Sequence, residues 1–360
     1  MKAIICAGGT GGHIYPALAI YNKIKEKEPF SEILYIGTTN RMESELIPKL
    51  GIKYVGIEMQ GIDRKNLIKN ISVFIKYRKA IKKAKQIIKE FQPDIVIGAG
   101  GYITAPVMIA AHKLKVKILI HEQNSIPGVS NKLISKYADK ICVSLPSTVE
   151  CFEKEKVVYT GNPRSEEIIT AKEATKKEFN LKDGKKLVVI VMGSLGSTTM
   201  TEKIKKIIPA FSTKDYQVII VTGKDYYKEF ESMNLPKNVT CTPFLENFIN
   251  LLKKTDLIIS RAGASTIAEI TAIGLPSILV PSPYVTNNHQ YKNAKELEDA
   301  GACKLITEDE FSTGTVITTI DSILLNKKTY KDMEVAAKKL GISNSATRIY
   351  QEIKKTIEED

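Results

Sequence analysis

The chain has 360 residues, 43% of them hydrophobic, and 53 Lys and Arg against 40 Asp and Glu give a formal net charge of +13. This is a globular composition, long enough for two domains with ordinary cores. It holds no apolar run of the roughly 18–20 residues that span a bilayer, and the strand-like segment close behind Met1 leads us to expect no signal peptide. Five scattered cysteines (Cys6, Cys142, Cys151, Cys241, Cys303) without C-x-x-C spacing argue against a disulfide framework or zinc site and for a reducing cytoplasm. The basic balance fits nucleic acid, an anionic membrane surface or phosphorylated substrates as partners, or simply a solvated lysine-rich surface.

In chain order, strand-like runs at 2–6, 32–36, 53–57, 94–98, 116–121, 140–144 and 156–160 alternate with helical patterns at 15–28, 41–50 and 67–90. A second series follows, with strands at 187–192, 217–222, 239–242, 256–260, 277–281 and 302–306 around helical patterns at 201–210 and 265–273. Such alternation implies βαβ units and parallel sheets. The expected fold class is α/β, with two Rossmann-like domains facing across a cleft. These are residues 1–163 and 164–342, joined near Gly161-Asn162-Pro163-Arg164. A helical stretch near 343–360 would pack back on the first domain.

The first strand stops at Gly8-Gly9-Thr10-Gly11-Gly12-His13. A loop with almost no side chains lets a ligand approach the backbone and aims N–H groups at an anion. His13 adds a group that takes a proton near neutral pH. The loop lacks the Gly-Lys-Ser/Thr of a phosphate loop and the spaced G-x-G-x-x-G of dinucleotide sites. Gly98-Ala99-Gly100-Gly101-Tyr102 is a second glycine turn in the same half. His121-Glu122-Gln123-Asn124 ends a strand, where α/β sites gather polar groups. His121 alone also reads as a core histidine, and Asn124, farther out, is the better ligand candidate.

In the second half, Gly193-Ser194-Leu195-Gly196 repeats strand, glycine loop and helix, and the Ser194 hydroxyl suits a phosphate oxygen. Arg261-Ala262-Gly263-Ala264-Ser265-Thr266-Ile267-Ala268-Glu269 enters a helix whose N-terminus would face a diphosphate. Glu269 fits the hydroxyls of a ribose, or favourably pairs with the helix dipole. Gln290, in Asn287-Asn288-His289-Gln290, carries an amide suited to sugar hydroxyls. Residues 62–90 hold ten Lys or Arg and two Asp or Glu. There Ile71, Phe74, Tyr77, Ile81, Ala84 and Ile88 recur at three- and four-residue steps and are expected to face the core. Leu67, Ile68, Val73 and Ile75 fall among the lysines, a mixture that suits adsorption to anionic lipid, or a solvated basic helix with incidental apolar residues.

Together these motifs resemble the bacterial undecaprenyl-diphospho-muramoylpentapeptide N-acetylglucosaminyltransferases over essentially the whole chain. The residues that carry the resemblance are Gly8 to His13, Gly100-Gly101-Tyr102, His121 to Asn124, Gly161 to Arg164, Gly193 to Gly196, Arg261 to Ala264 with Glu269, and Gln290. Each motif is weak alone; their order is specific. The resemblance implies a glycosyltransferase B-type fold with UDP-N-acetylglucosamine held mainly by the second domain. The acceptor would be undecaprenyl-diphosphate-linked muramoyl-pentapeptide, and the product lipid II of peptidoglycan synthesis. On this chain Arg164 and Ser194 would hold the diphosphate region, Leu245 would lie by the uracil through its backbone, and Ala264, Ser265, Thr266, Ile267, Ala268 and Glu269 would hold diphosphate and ribose. Gln290 and Asn124 would contact the sugar, Thr10, Gly11 and Gly12 would complete the donor site, and Gly100, Gly101 and Tyr102 would face the acceptor. Segment 64–89 would rest on the cytoplasmic face of the cell membrane. Two departures stand out: Met192 where many relatives have glycine, and Leu245 where isoleucine is commoner. Neither removes a chemical group.

The implied reaction is an inverting displacement in which the acceptor's C4 hydroxyl attacks C1 of N-acetylglucosamine. His13 is the expected base, with Arg164, Ser194 and the helix start at Ala264 facing the leaving diphosphate. No Asp-x-Asp motif is placed as a metal site, so neither a metal nor a cofactor is implied. A sugar-nucleotide epimerase would share fold and donor site but needs no lipid acceptor. A nicotinamide oxidoreductase would need the missing fingerprint. A nucleic-acid-binding module would use the charge, but the basic residues sit beside apolar ones and no nucleic-acid motif is present.

Overall fold

The computed structural model describes residues 1–60, 70–174, 176–179, 181–193, 197–245 and 248–359. They form two compact units, Met1–Arg164 with Asn344–Asp360, and Ser165–Ser343.

The first unit is built on seven parallel strands: β1 (Lys2–Cys6), β2 (Glu32–Thr38), β3 (Tyr54–Ile57), β4 (Ile95–Gly98), β5 (Lys117–Glu122), β6 (Lys140–Val143) and β7 (Val157–Tyr159). Their order is β3-β2-β1-β4-β5-β6-β7. Parallel strands covered on both faces read as continuous apolar runs, and Ile4, Ile5, Val96 and Ile97 of the central pair are fully buried. On one face Ile4, Val96, Ile118 and Ile141 pack with Met108, Ala84 and Ile88 from helices Thr104–Lys113 and Asn70–Phe91. On the other, Ile5, Ile97, Leu119 and Cys142 pack with Ile14, Ile20 and Ile24 of helix Gly11–Lys27, and with Ile349 and Ile353 of helix Ser345–Glu358.

The second unit repeats the plan with β8 (Leu187–Val191), β9 (Gln217–Val221), β10 (Val239–Thr242), β11 (Leu257–Ser260), β12 (Ser277–Leu279) and β13 (Lys304–Leu305), ordered β10-β9-β8-β11-β12-β13. In each unit the chain turns one way after the first strand and later returns to its other side. The resulting switch points lie between β1 and β4 and between β8 and β11, the places where open α/β sheets bind ligands at their carboxyl ends.

The expected strands are all present with every end within two residues: β1 and β10 match, β2 runs on to Thr38 and β5 to Glu122, and most of the others are a residue or two shorter at one end. The first helix starts at Gly11 rather than residue 15, with Thr10 extended before it (φ −141°, ψ 157°). Glycine's low propensity hides that first turn from a pattern search. The helix expected over 201–210 runs Thr198–Ile207 and tightens to a 3₁₀ turn at Ile208–Thr213, where Pro209 brings no N–H. In helix Asn70–Phe91 the buried stripe is Val73, Ala80, Ala84, Ile87, Ile88 and Phe91, whereas Phe74 is 62% exposed. The expected stripe was thus out by one position at its start: Val73 enters the core and Phe74 joins Ile75 among the lysines. Leu67, Ile68 and the side chain of Ile71 lie outside the described residues.

Candidate functional site

In the first unit the carboxyl ends of β1 and β4 lie side by side, Cys6 opposite Gly98. The loops leaving them are stitched together. Ala99 N–H donates to Cys6 O (2.9 Å) and Gly8 N–H to Gly100 O (3.2 Å). This closeness requires glycine: a Cβ on Gly101 would lie 2.3 Å from Gly8 O, and one on Gly100 would lie 2.5 Å from the His13 ring. Both also sit at positive φ, +93° and +102°. His13, in the first turn of helix Gly11–Lys27, is therefore packed on the second glycine turn. Its Nδ1 lies 3.2 Å from Gly8 O and 3.4 Å from Thr10 Oγ1. A carbonyl oxygen can only accept, so the proton of the neutral ring is on Nδ1 and the basic lone pair on Nε2.

Beneath the loop is a residue that the sequence reading did not single out. Glu43, in helix Met42–Lys49, is fully buried. Its Oε2 accepts from Gly9 N–H (3.0 Å), and its Oε1 accepts from Thr38 N–H (3.0 Å) and the Thr38 hydroxyl (2.6 Å). Gly8 and Gly37 make room for it, since a Cβ on either would come within 2.4 and 2.6 Å of its side chain. Two glycines far apart in sequence that serve one carboxylate leave no local pattern. Thr10, Gly12 and Tyr102 are exposed and Gly11 half-buried. Arg164 lies in this unit, its guanidinium 5.4 Å from the Tyr15 ring centroid, within cation–π range.

The end of β5 divides its roles. His121 is fully buried; its Nε2 lies 3.3 Å from Gly161 O and 3.2 Å from Ser144 Oγ, and Gln123 Nε2 lies 3.1 Å from its Nδ1. Burial lowers its pKa to about 4, so it is a neutral core histidine that ties the strand ends together. Glu122 is buried too. Its Oε1 accepts from Asn124 N–H (3.0 Å), and its Oε2 from Gly128 N–H (2.9 Å) and Asn131 Nδ2 (2.8 Å). Asn124 is thereby held half-exposed on a braced loop.

In the second unit Val191 of β8 lies opposite Ser260 of β11. Met192, which follows β8, is buried in the core, so its side chain does not project into the loop. Ser194 lies outside the described residues. Arg261 is a tie rather than an open cation: it donates to Ser197 Oγ (3.0 Å), Val280 O (3.2 Å) and Glu308 Oε1 (2.5 Å). Helix Ala264–Ile273 starts after Gly263 and ends at left-handed Gly274. Ala264, Ser265 and Thr266 are half-exposed, and Ser265 Oγ is buried without a hydrogen-bond partner among the described residues. Ile267, Ala268 and Glu269 are buried, so Ile267 and Ala268 offer only backbone. Gln290 Oε1 accepts from Ser282 N–H (2.9 Å), which fixes the orientation of its NH₂. Leu245 packs against Val189 and Leu251, beside Phe244, whose half-exposed ring carries the Lys224 ammonium at 5.4 Å.

The first unit thus assembles Gly8 to His13 with Gly100 to Tyr102 at one switch point, and the second assembles Arg261 to Glu269 at the other. Among the described residues no helix is long and apolar enough to cross a membrane.

Comparison with known proteins joins the two halves. Residues 3–143 match the glycosyltransferase family 28 N-terminal domain, and residues 187–351 match the glycosyltransferase family 28 C-terminal domain. The UDP-N-acetylglucosamine--N-acetylmuramyl-(pentapeptide) pyrophosphoryl-undecaprenol N-acetylglucosamine transferase 1 of Bacillus cereus is 43% identical, covering 99% of this chain and all of that protein. The crystal structure of MurG from Acinetobacter baumannii superposes with a TM-score of 0.79 at 28% identity, covering 98% of this chain and 99% of that one. A UDP-GlcNAc 2-epimerase from Neisseria meningitidis shares the fold, with a TM-score of 0.67 at 16% identity over 99% of this chain and 100% of that one. Matches to both domains of one family, with near-complete alignment to a relative at 43% identity, establish that the chain belongs to glycosyltransferase family 28.

Proposed function

We propose that this chain transfers N-acetylglucosamine from UDP-N-acetylglucosamine to the C4 hydroxyl of the N-acetylmuramoyl unit of undecaprenyl-diphospho-N-acetylmuramoyl-pentapeptide, forming lipid II and releasing UDP. The observation that carries this reading is the 43% identity, end to end, with a transferase of that name. The acceptor oxygen attacks C1, the bond from C1 to the diphosphate breaks, and the configuration inverts. Nε2 of His13 takes the hydroxyl proton, a role supported by the Nδ1–H contact with Gly8 O. Backbone N–H groups at Ala264, Ser265 and Thr266, the Ser265 hydroxyl, Ser194 and Arg164 offset the charge on the leaving diphosphate. Ile267 and Ala268 line the same turn, Glu269 takes the ribose, Leu245 the uracil, and Gln290 and Asn124 the sugar. Thr10, Gly11 and Gly12 complete the donor's surroundings, and Gly100, Gly101 and Tyr102 hold the acceptor's diphosphate.

The protein works at the cytoplasmic membrane surface as a peripheral enzyme. Exposed Phe74 and Ile75, set among Lys76, Arg78, Lys79, Lys82 and Lys83, support this.

Incubation with UDP-N-acetylglucosamine, with and without a lipid I analogue, tests the whole reading. UDP release is expected only with the acceptor; epimerised sugar nucleotide in its absence would overturn it. His13→Ala is expected to lower turnover by about 10²–10⁴-fold.

A further inference from the structure

Glu43 and His13 are joined through a single peptide unit. The bond between Gly8 and Gly9 carries the Gly8 carbonyl and the Gly9 N–H. Glu43 Oε2 accepts from that N–H at 3.0 Å, and the carbonyl faces His13 Nδ1 at 3.2 Å. A trans peptide is planar, with its C=O and N–H pointing in opposite directions, so a carboxylate that fixes one end fixes the other. An N–H donating to an anion also makes the carbonyl of the same amide a better acceptor, because hydrogen bonds in a chain polarise one another. We propose that Glu43 is a positioning residue for the catalytic base: through the Gly8–Gly9 peptide it orients the His13 ring, holds the proton on Nδ1 and raises the basicity of Nε2. This is the arrangement of a carboxylate behind a histidine with one amide inserted between them, and it rests on the reading of His13 as the base.

The surroundings favour this role. Thr38 gives the other carboxylate oxygen two donors, so Glu43 is held on both sides. The titratable groups that face Glu43 are Cys6 of β1, Tyr35 of β2 and Tyr54 of β3. Burial, with the Glu43 charge beside them, pushes the pKa of each upward, so all three are neutral near pH 7. Gly8, Thr10 and Gly100, which pack on the His13 ring, carry no ionisable group. The Arg164 guanidinium lies 5.4 Å from the ring centroid of Tyr15, two residues after His13 on the same helix. The absence of side chains on Gly8 and Gly37 is what leaves room for Glu43 here.

The test uses the full chain with a lipid I analogue and compares wild type, Glu43→Gln and His13→Ala. The chain has four histidines, so the His13 ring resonances are assigned by their loss in His13→Ala. In Glu43→Gln the loss of the anion is expected to move the titration of His13 and the acid limb of kcat to lower pH. kcat should fall about ten-fold, and KM for UDP-N-acetylglucosamine should change less than two-fold. A glutamine that merely fills space would leave both titrations where they were, and that result would overturn the proposal. Should Glu43→Gln not fold, the ¹⁵N shifts of His13 in the unaltered chain still decide: a proton on Nδ1 is required, and a proton on Nε2 overturns the relay. If His13→Ala keeps near-normal turnover, the base assignment fails instead, whatever the Glu43 result.

Discussion

Gly9 and Gly101 have the same φ, +93°, but not the same neighbours. A Cβ at Gly9 would meet nothing within 4 Å, whereas one at Gly101 would lie 2.3 Å from Gly8 O, 3.0 Å from Gly8 C and 3.1 Å from Gly8 N. Alanine at either position carries the cost of a left-handed backbone, about 1–3 kcal/mol. At Gly101 the overlap adds about 1–3 kcal/mol more, the usual cost of overpacking. Gly8 cannot step aside, because its N–H is bonded to Gly100 O and its carbonyl faces His13. One kcal/mol corresponds to roughly 2–4 °C of Tm in a unit of 150–250 residues. Gly101→Ala should therefore melt about 2–12 °C below Gly9→Ala in the same buffer, measured by differential scanning calorimetry on the transition of the first unit. It should also lose the larger share of kcat, since the displaced Gly8 carries His13 with it. Equal melting temperatures, or a lower one for Gly9→Ala, would show that the two loops are not stitched as described.

Other outcomes follow from the same geometry. Glu308→Ala leaves the buried Arg261 guanidinium without its carboxylate and is expected to destabilise the second unit by about 3–5 kcal/mol; a denaturant midpoint unchanged from wild type would contradict this. His121 titrates near pH 4 when folded and near 6.5 when unfolded. The unfolded chain therefore binds the extra proton first, and stability falls as pH drops from about 6.5 to 4, by on the order of 3 kcal/mol. His121→Asn should lack that slope in urea titrations taken across the range. Replacing Phe74 and Ile75 together by Ser should leave Tm within about 1 °C, since both are exposed. Sedimentation with anionic vesicles should drop about ten-fold, and unchanged sedimentation would remove this patch from the membrane reading. Glu269→Gln should raise KM for UDP-N-acetylglucosamine several-fold with little change in kcat; an unchanged KM would leave Glu269 as a buried helix residue without a ribose.

The strands were legible because a parallel sheet covered on both faces needs continuous apolar runs, and Ala3 to Cys6, Val188 to Val191 and Leu257 to Ser260 supply them. The glycine loops were legible for the complementary reason, since four glycines clustered around one threonine break the apolar pattern of strand and helix alike, even though Gly11 and Gly12 form the helix's first turn. Roles that depend on a distant partner were not. Arg261 opens the loop expected to face a diphosphate, but Glu308, 47 residues later, satisfies its charge. Glu43 looks like an ordinary first-turn acid until Gly9 is found above it. Val73 and Phe74 are adjacent apolar residues, and which of them is buried depends on what packs against the helix, to which periodicity is blind.

The last helix completes a core begun by the first strand. Ile349 and Ile353 fill the face formed by Ile5, Ile14 and Leu119, while residues 165–343 form a unit of their own. During synthesis, the unit made second can therefore finish folding first. The unit that starts the chain must wait, with part of its sheet uncovered, for its final turns. Burying those two isoleucines contributes roughly 3–6 kcal/mol, and none of it is available until helix Ser345–Glu358 has emerged. A chain interrupted just after residue 343 would carry a sound second unit beside a sticky, half-covered first one, a form open to chaperones and proteases.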